Sequence, residues 1–593
     1  MQKGSFFHGN TYEYQLSLAL HRAARKFQAP TAGAPLGRIF VDPRLERDLA
    51  QCVPSRPNIV VILVDDMGFS DIGAYGSEID TPNLDRLAGN GLRFSQFYNC
   101  ARCCPTRAAL LTGLYPHQAG VGHMTGIYGD HPSYQGCLND RCVTIPEVLR
   151  HAGYRTYMAG KWHVGGDYRV NEPESWAQVA GDAQHPIPVQ RGFDEHYGTL
   201  CGAGSFFEPP TLVHNDRFIP MSALPDDYYY TDAIGEESAR MVASGDTDKP
   251  FFLYMAHTAP HWPLHAPEAT TAQYLGRYRG GWDQLREARY ESILAAGLLD
   301  SKWPLSPRDP RATPWADEPL VDWQDRRMAV YAAQIEHMDR AVGRLLTQLE
   351  TLGQLDNTLI FFMSDNGGCA EFLQEDPAPN AHPGQYVLPL RDGRQTRVGN
   401  FKGQDPGGAD TFMSYDLSWS NASNTPFRKH KHWIHEGGIS TPLIVHWPER
   451  IQQSGIHHAQ GHVIDIMATC LDAAGVRYPS TFADRAITPI EGESLLPVLD
   501  GKPWARQQPL FFEHQGCAGL RVGDWKLVRE AAGGGDREHW YGQWELYNMA
   551  DDRTELNDLA RSDTGKRDQL LRQWGERCHL LGVEPDFFSL TRG

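Results

Sequence analysis

Long hydrophobic runs are absent from this chain of 593 residues. The longest purely aliphatic stretch, residues 59–64 (IVVILV), has the length of a buried strand and is much too short to cross a bilayer. The first residues, MQKGSFFHGNTYEYQLSLALHRAARKF, lack the continuous apolar segment of a secretory signal. We therefore expect a cytoplasmic protein without a membrane span. A periplasmic or secreted location stays open, because an export signal can be cut away.

Positive charge is also scarce. The chain has 55 Lys and Arg residues against 73 Asp and Glu residues, which gives a formal net charge of −18. Because nucleic-acid binding requires a basic surface, we expect no nucleic-acid partner and no polybasic membrane anchor. Hydrophobic residues at 41% and charged residues at 22% are ordinary for a globular protein with a large core.

Cysteine is sparse: the whole chain has 11 cysteines, an odd number. This count does not indicate a disulfide framework. It leaves individual bridges open, for example one between Cys137 and Cys142.

The first part of the chain is weakly patterned and rich in Ala, Pro, Arg and Gly. We predict an N-terminal extension over residues 1–55, with one short helix at residues 14–27. The ordered fold is predicted to begin at Pro57, because the β-branched run that follows is typical of a strand buried on both faces of a parallel sheet.

Buried strands and an amphipathic helix alternate through the centre of the chain. Three further apolar runs have the character of buried strands: residues 250–255, 358–363 and 443–447. Apolar residues at three- and four-residue steps predict a helix over residues 328–349, ended by Gly353. This alternation predicts an α/β fold with a large mixed, mostly parallel sheet flanked by helices.

The pattern changes at about residue 506. Four short runs separated by Gly and Asp turns predict strands, and a polar helix is predicted over residues 564–578. We therefore divide the fold into a catalytic α/β domain at residues 56–505 and a smaller C-terminal domain at residues 506–593, with an antiparallel sheet plus a helix.

Three stretches rich in Pro, Gly and aromatic residues are predicted to be long loops: residues 165–200, 265–320 and 368–425. In α/β proteins such loops usually build the substrate site. Several tryptophans in and near these loops could stack on a sugar or an aryl ring: Trp262, Trp282, Trp303, Trp315, Trp323, Trp419 and Trp433.

Acidic and amide side chains follow two of the predicted strands. Asp65 and Asp66 come after the first strand, and Asp365 and Asn366 after the strand at residues 358–363. Open α/β sheets bind ligands at this edge, so we expect the four side chains to lie close together. Their oxygens suit a hard cation such as Ca²⁺ or Mg²⁺. Each pair alone could equally form a turn or a helix cap.

A cysteine-containing segment, CCPTRAALLTG at residues 103–113, lies between the two pairs. Pro105 indicates the first turn of a helix, whose N-terminus favours an anion, and Arg107 could hold an oxyanion one turn later. The alternative interpretation of Cys103 is a buried structural thiol.

Six motifs, in order along the chain, resemble those of the type I sulfatases of the alkaline phosphatase superfamily. They are Asp65-Asp66-Met67-Gly68, Cys103-Cys104-Pro105-Thr106-Arg107, Gly160-Lys161-Trp162-His163, Ala259-Pro260-His261-Trp262-Pro263, Asp365-Asn366-Gly367, and Lys431 followed by Glu436-Gly437-Gly438. The similarity runs from about residue 57 to the C-terminus, and residues 1–55 have no counterpart. Thr106 departs from the pattern, because many relatives have Ser there.

The resemblance implies a nucleophile and a metal site. Cys103 would be oxidised to Cα-formylglycine by a formylglycine-generating or anaerobic sulfatase-maturating enzyme, and the aldehyde hydrate would be the nucleophile. The family's metal is Ca²⁺ rather than Mg²⁺. Its ligands would be Asp65, Asp66, Cys103 as formylglycine, Asp365 and Asn366.

The resemblance also implies the roles of the remaining residues. Arg107, Lys161 and Lys431 would stabilise the anionic state, with Asp365 as base. His261 would protonate the departing alcohol, and His163 would take the proton of the second hydroxyl so that sulfate is released. Glu513 and His514 would close the pocket, because this domain packs against the cleft in relatives.

We therefore expect a sulfuric ester hydrolase of the arylsulfatase type, which converts an aryl or carbohydrate sulfate monoester to alcohol and sulfate. A phosphonate monoester hydrolase or phosphodiesterase of the same superfamily is the alternative, because three cationic groups fit either substrate. A two-zinc phosphatase would need a Ser or Thr nucleophile and further Asp and His ligands, which we do not find. A non-catalytic binding protein would show decayed motifs, and these motifs are intact.

Overall fold

The computed structural model describes residues 56–125, 131–168, 173–246, 248–375, 386–531 and 542–584. The predicted extension at residues 1–55, with its helix at 14–27, lies outside the described residues.

The strands of the described chain are, in order, β1 (Asn58–Asp65), β2 (Leu92–Tyr98), β3 (Arg155–Gly160), β4 (Glu195–Thr199), β5 (Leu212–His214), β6 (Arg217–Phe218), β7 (Phe251–Pro260), β8 (Thr358–Ser364), β9 (Arg397–Val398), β10 (Thr411–Phe412), β11 (Ser440–His446), β12 (Gly455–His462), β13 (Thr481–Phe482), β14 (Arg485–Ala486), β15 (Leu510–His514), β16 (Cys517–Val522), β17 (Trp525–Arg529) and β18 (Glu545–Asn548).

The helices of the described chain are, in order, α1 (Pro82–Gly89), α2 (Cys103–Thr112), α3 (Ile145–His151), α4 (Pro173–Val179), α5 (Tyr230–Ala243), α6 (Glu268–Tyr274), α7 (Gly281–Ala295), α8 (Val321–Thr351), α9 (Asp416–Ser423), α10 (Glu436–Ile439), α11 (Ile464–Ala473), α12 (Leu496–Leu499) and α13 (Thr564–Leu581).

A ten-stranded sheet forms the centre of the molecule, in the order β12-β2-β11-β8-β1-β7-β3-β4-β5-β6. β1 is parallel to both of its neighbours, β7 and β8, so the carboxyl ends of these three strands meet at one edge. β11 is antiparallel to β2 and β8, which makes the sheet mixed. The predicted α/β fold is confirmed.

Each face of the sheet carries its own hydrophobic core. Alternate residues of β1 enter opposite cores, with Val61 on one face and Val60 on the other. α8 covers the second face, and its buried residues include the whole apolar series predicted from the three- and four-residue spacing. Burial on both faces explains why the sequence of β1 is a continuous apolar run rather than an alternating one.

The stretches predicted as loops are partly helical, which corrects the prediction. α4 lies within residues 165–200, α6 and α7 within 265–320, and α9 within 368–425. α7 escaped detection because two of its buried positions are arginines, Arg286 and Arg289. Arg289 is paired with Asp71 at 2.6 Å and Glu78 at 2.8 Å, so the buried face of α7 has no hydrophobic periodicity.

The smaller C-terminal sheet is antiparallel in the order β15-β16-β17-β18, with α13 after it, as predicted. Among the described residues every cysteine is a free, buried thiol, so Cys137 and Cys142 form no bridge. Within the same residues, no helix has the length and apolar character needed to span a membrane.

Candidate active site

The two acidic pairs meet at the carboxyl edge of β1 and β8. Asp65 is the last residue of β1, and Asp66 follows with a positive φ of 65°, which turns the chain at the strand end. The Asp66 amide donates a hydrogen bond to Asp365 Oδ1 at 3.3 Å, and Asn366 Nδ2 donates to Asp66 Oδ1 at 2.7 Å. The parallel register of the two strands therefore brings together two pairs of side chains that lie about 300 positions apart in sequence.

Three buried cations surround these carboxylates. Arg107 Nη2 bridges Asp65 Oδ2 at 3.3 Å and Asp365 Oδ2 at 2.8 Å. Lys161 is paired with Asp65, and Lys431 Nζ lies 2.8 Å from Asp66 Oδ1. Burial opposes ionisation of Asp65, but Lys161, His261 and Arg107 outweigh it and hold its pKa below the usual range. Burial and the neighbouring Asp65 raise the pKa of Asp365 well above its usual range.

The cluster fits a hard divalent cation. Asp65 Oδ1 and Asn366 Oδ1 are buried and have no hydrogen-bond partner, so both oxygens can coordinate an ion. A ligand atom of Asp65, one of Asp66 and one of His261 lie within 4.8 Å of one another. Three carboxylates and an amide oxygen suit Ca²⁺ or Mg²⁺ rather than a soft metal.

Cys103 begins α2 and lies against His163. The Cys103 and Cys104 sulfurs and a nitrogen of His163 lie within 4.8 Å of one another, all in buried residues. A hydrogen bond from Cys104 and the charge of Lys161 outweigh burial and hold the pKa of Cys103 well below its usual range. Burial lowers the pKa of His163 to about 4. This position therefore stabilises a negative charge next to a neutral imidazole.

His261 contacts Asp66 and Lys431. Its Nε2 is 3.3 Å from Asp66 Oδ2 and 3.2 Å from Lys431 Nζ, while its Nδ1 is 2.6 Å from the Trp262 carbonyl. Burial, helped by Lys431, lowers the pKa of His261 although Asp66 opposes the shift. Burial would neutralise Lys431, but Asp66 and further anionic neighbours raise its pKa well above the usual range.

The glycines of two motifs let the loops of Asn366 and Lys431 pack backbone to backbone. A Cβ atom at Gly367 would lie 1.8 Å from the Gly437 carbonyl oxygen, and one at Gly438 would lie 1.9 Å from the Trp433 carbonyl oxygen. The Gly367 amide also donates to the Gly438 carbonyl at 3.0 Å. Only glycine allows this contact, which fixes the loop of Asn366 against the loop of Lys431, called here the lysine loop.

Glu436 belongs to the same motif but lies outside the site. It accepts a hydrogen bond from Lys526 Nζ at 2.8 Å, and Lys526 is also paired with Glu555 at 2.7 Å. All three side chains are fully buried. Glu436 therefore ties the lysine loop to the C-terminal sheet.

The structure brings together every predicted site residue of the catalytic domain, in two groups. Cys103 and His163 form one group, and the carboxylates with His261 and Lys431 form the other, with Arg107 and Lys161 against Asp65. Of the two C-terminal residues, His514 is buried with its ring 5.4 Å from that of His432. Glu513 is bonded to His117 at 2.8 Å.

Sequence reasoning missed three residues of the site. Arg102 and Glu371 form an ion pair at 2.7 Å, and Trp262 Nε1 donates to the other oxygen of Glu371 at 2.9 Å. Gly202 packs against the His163 ring. Arg102 directly precedes the motif residue Cys103, a signal that could have found it, whereas nothing in the local sequence marks Glu371 or Gly202.

Comparison with known proteins gives a consistent set of matches. The Sulfatase family profile matches residues 57–476, and the profile described as N-sulphoglucosamine sulphohydrolase, C-terminal, matches residues 428–577. An uncharacterized sulfatase of Schizosaccharomyces pombe is 32% identical over 551 residues, which is 88% of this chain and 94% of the relative. An arylsulfatase of Klebsiella aerogenes is 31% identical over 471 residues, 77% of this chain and 94% of the relative.

Solved structures with a similar fold cover most of this chain. The crystal structure of Ps i-CgsB superposes with a TM-score of 0.59 at 25% identity and covers 88% of this chain and 92% of its own. A second structure, of Ps i-CgsB in complex with k-i-k-neocarrahexaose, gives a TM-score of 0.58 at 24% identity and covers 91% of this chain and 100% of its own.

Proposed function

Because this chain belongs to the sulfatase family and is a sulfuric ester hydrolase, we propose that it uses an oxidised Cys103 and one divalent cation to hydrolyse aryl or carbohydrate sulfate monoesters. The resemblance drawn from the six motifs is confirmed at the level of the family. The formylglycine, the metal and the individual residue roles are the proposal. In it the chain divides into a catalytic domain at residues 56–505 and a C-terminal domain at 506–593 that packs near the cleft.

The observation that carries the proposal is the positive charge around the start of α2. Arg107, Lys161 and Lys431 are buried and lie on carboxylates at the strand ends. The low pKa of Cys103 has a hydrogen bond from Cys104 as its largest cause, and the charge of Lys161 adds to it, so this position favours an anion. Attack on a sulfate ester builds up negative charge, and fixed donors in a dry site stabilise it strongly.

Cys103, once oxidised to formylglycine, would supply the nucleophilic oxygen. Asp365 would accept the proton of that oxygen, which its raised pKa favours. Arg107, Lys161 and Lys431 would hold the sulfate oxygens. His163 is neutral at physiological pH because burial lowers its pKa to about 4, so it can take the second proton that accompanies sulfate release.

His261 would donate a proton to the departing alcohol. Its ring is neutral in the absence of substrate, because burial lowers its pKa. Its Nε2 is the nitrogen that faces the site, 3.2 Å from Lys431 Nζ, because Nδ1 is bonded to the Trp262 carbonyl. Protonation of the leaving oxygen matters most for alkyl and sugar alcohols, which leave poorly as alkoxides.

Ca²⁺, with Mg²⁺ as the alternative, would be held by Asp65, Asp66, Asp365, Asn366 and oxidised Cys103, and when bound it would polarise the sulfate group. The unpartnered Oδ1 atoms of Asp65 and Asn366 support this ligand set. The proposal also requires a formylglycine-generating or anaerobic sulfatase-maturating enzyme as a partner.

The test is a paired rate assay on protein whose Cys103 peptide has been identified as the aldehyde by mass spectrometry. The substrates are p-nitrophenyl sulfate, bis(p-nitrophenyl) phosphate and p-nitrophenyl phenylphosphonate, which share one leaving group. We expect kcat/KM to be highest for the sulfate. A preference for either phosphorus ester would keep the residue roles and assign the enzyme to the phosphonate monoester hydrolase or phosphodiesterase class.

A further inference from the structure

Three side chains on the solvent side of the site take no part in the steps above. They are Arg102, Trp262 and Glu371, called here the rim cluster. Arg102 directly precedes Cys103, and Trp262 directly follows His261. Cys103 and His261 are only 2% and 3% exposed, whereas the side chains of Arg102 and Glu371 are 17% and 34% exposed. The rim cluster is therefore a partly exposed polar surface directly beside the buried groups.

The carboxylate of Glu371 is held in one position by two donors. Arg102 Nη1 donates to Oε1 at 2.7 Å, and Trp262 Nε1 donates to Oε2 at 2.9 Å. Burial opposes ionisation, but the charges of Arg102, Lys431 and His261 hold the pKa of Glu371 well below its usual range. An ionised carboxylate has about four acceptor sites. Glu371 thus keeps acceptor capacity for a ligand while its own position is fixed.

Trp262 adds an apolar surface beside this acceptor. Its ring is half-buried, 4.3 Å from the ring of His261 and 5.7 Å from the ring of Phe412. An apolar aromatic face beside a fixed carboxylate is the combination that suits a sugar, because a sugar ring has both an apolar C–H face and hydroxyl donors.

We propose that the rim cluster binds the alcohol part of the substrate and makes the enzyme selective for carbohydrate sulfates over plain aryl sulfates. This inference rests on the proposed function, because it takes the leaving oxygen to lie at His261. The ring attached to that oxygen lies against Trp262, and a hydroxyl near the ester donates to Glu371. A nitrophenyl ring has no hydroxyl to donate, so it gains nothing from the carboxylate.

The test compares kcat and KM of the matured, calcium-loaded full chain for p-nitrophenyl sulfate and for galactose 4-sulfate, galactose 6-sulfate and glucose 6-sulfate. In Glu371→Gln we expect kcat/KM for the preferred sugar sulfate to fall roughly 10- to 100-fold, as for a lost hydrogen bond to a charged group. The rate with p-nitrophenyl sulfate should fall by a clearly smaller factor, because its ring has no hydroxyl to donate to residue 371. Glu375→Gln is the matched control, because Glu375 is exposed and four residues further on.

A second variant tests the same inference without removing the charge of Glu371. Trp262→Phe retains an aromatic face but removes the N–H that orients Glu371, so it should also lower the sugar rate more than the aryl rate. Equal losses on both substrates in the two variants would overturn the inference, as would a wild type that cleaves the aryl ester and none of the three sugars. A matured wild type that releases no sulfate from any ester would overturn the proposed function itself.

Discussion

Gly202 lies against the imidazole of His163, so closely that a Cβ atom at residue 202 would be 2.5 Å from both Cε1 and Nε2 of the ring. His163 itself has a positive φ of 53°, and its Nδ1 has no hydrogen-bond partner. Together with the hydrogen bond to Cys103, the space left by the missing side chain of Gly202 determines where the imidazole lies.

Replacement of Gly202 by Ala should therefore displace His163. A shift of about 1 Å at a reacting group can cost about 100-fold in rate, so we expect kcat for p-nitrophenyl sulfate to fall by about that factor. Gly575→Ala is the control, because nothing lies within 4 Å of the added Cβ in α13. An unchanged kcat in Gly202→Ala would show that the exact position of His163 does not matter for turnover.

Cys103→Ala should abolish sulfate release and leave the thermal melting curve nearly unchanged. The side chain is small, so its loss should cost little stability, while no other residue can supply the proposed nucleophile. Cys470→Ala is a matched control, because it removes an equally buried thiol in α11 without touching the site. Activity retained in Cys103→Ala would rule out the formylglycine mechanism.

The sequence predicted the strand-end chemistry better than the surroundings of the site. Asp65 and Asp365 could be placed together because buried parallel strands are recognisable in the sequence as continuous apolar runs. The carboxyl ends of such strands lie at one edge of the sheet. β12 was not predicted, because its sequence GIHHAQGH has no apolar run or alternation. The antiparallel direction of β11 could not be predicted, since a buried strand has the same pattern in either direction.

The missed residues share a physical reason. The role of Glu371 depends on Arg102 and Trp262, which are 269 and 109 positions away in sequence. Gly202 matters only because its missing side chain leaves room for the His163 ring. Such contacts are set by tertiary packing and leave no local pattern, whereas the motif residues could be recognised from their family resemblance.

Removal of divalent metal should inactivate the enzyme, and added Ca²⁺ should restore it. Because the ligand oxygens come together only in the folded chain, metal binding should also stabilise the fold, by about 2.7 kcal/mol at 100 times the Kd. Melting curves with and without Ca²⁺ measure this effect. In Asn366→Ala the calcium-dependent shift of Tm should shrink markedly, and a full shift there would remove Asn366 from the ligand set.

Lys526 should be among the most sensitive residues for stability outside the site. It neutralises Glu436 and Glu555 in a fully buried cluster, so Lys526→Met leaves two carboxylates short of their partner. The loss of one member of a buried ion pair costs about 3–5 kcal/mol, which urea unfolding of the full chain would measure. Lys502→Met is the control, because the Lys502–Asp500 pair is exposed on the lysine side and should contribute at most about 1 kcal/mol. Equal unfolding midpoints for the two variants would contradict the role given to Lys526.

Glu545 should contribute stability that depends on pH in a defined window. Burial opposes its ionisation, but hydrogen bonds from His435 and Tyr547 and the charges of His435 and Arg428 lower the pKa of Glu545 from 4.5 to about 2. A carboxyl whose pKa is lower in the folded state stabilises the fold above its unfolded pKa, and this contribution is lost as the pH falls through the folded value. The stability difference between wild type and Glu545→Gln should therefore be constant from pH 7 to pH 5.5 and shrink between pH 4.5 and pH 2. The Glu545 side chain is 20% exposed, so solvent screens part of the interaction. We therefore expect the free energy of unfolding of the two proteins to differ by about 2 kcal/mol at pH 7, which is less than the whole pKa shift would give. Urea unfolding of both proteins across this range tests it, and a difference that grows on acidification would show that Glu545 is not stabilised as the carboxylate.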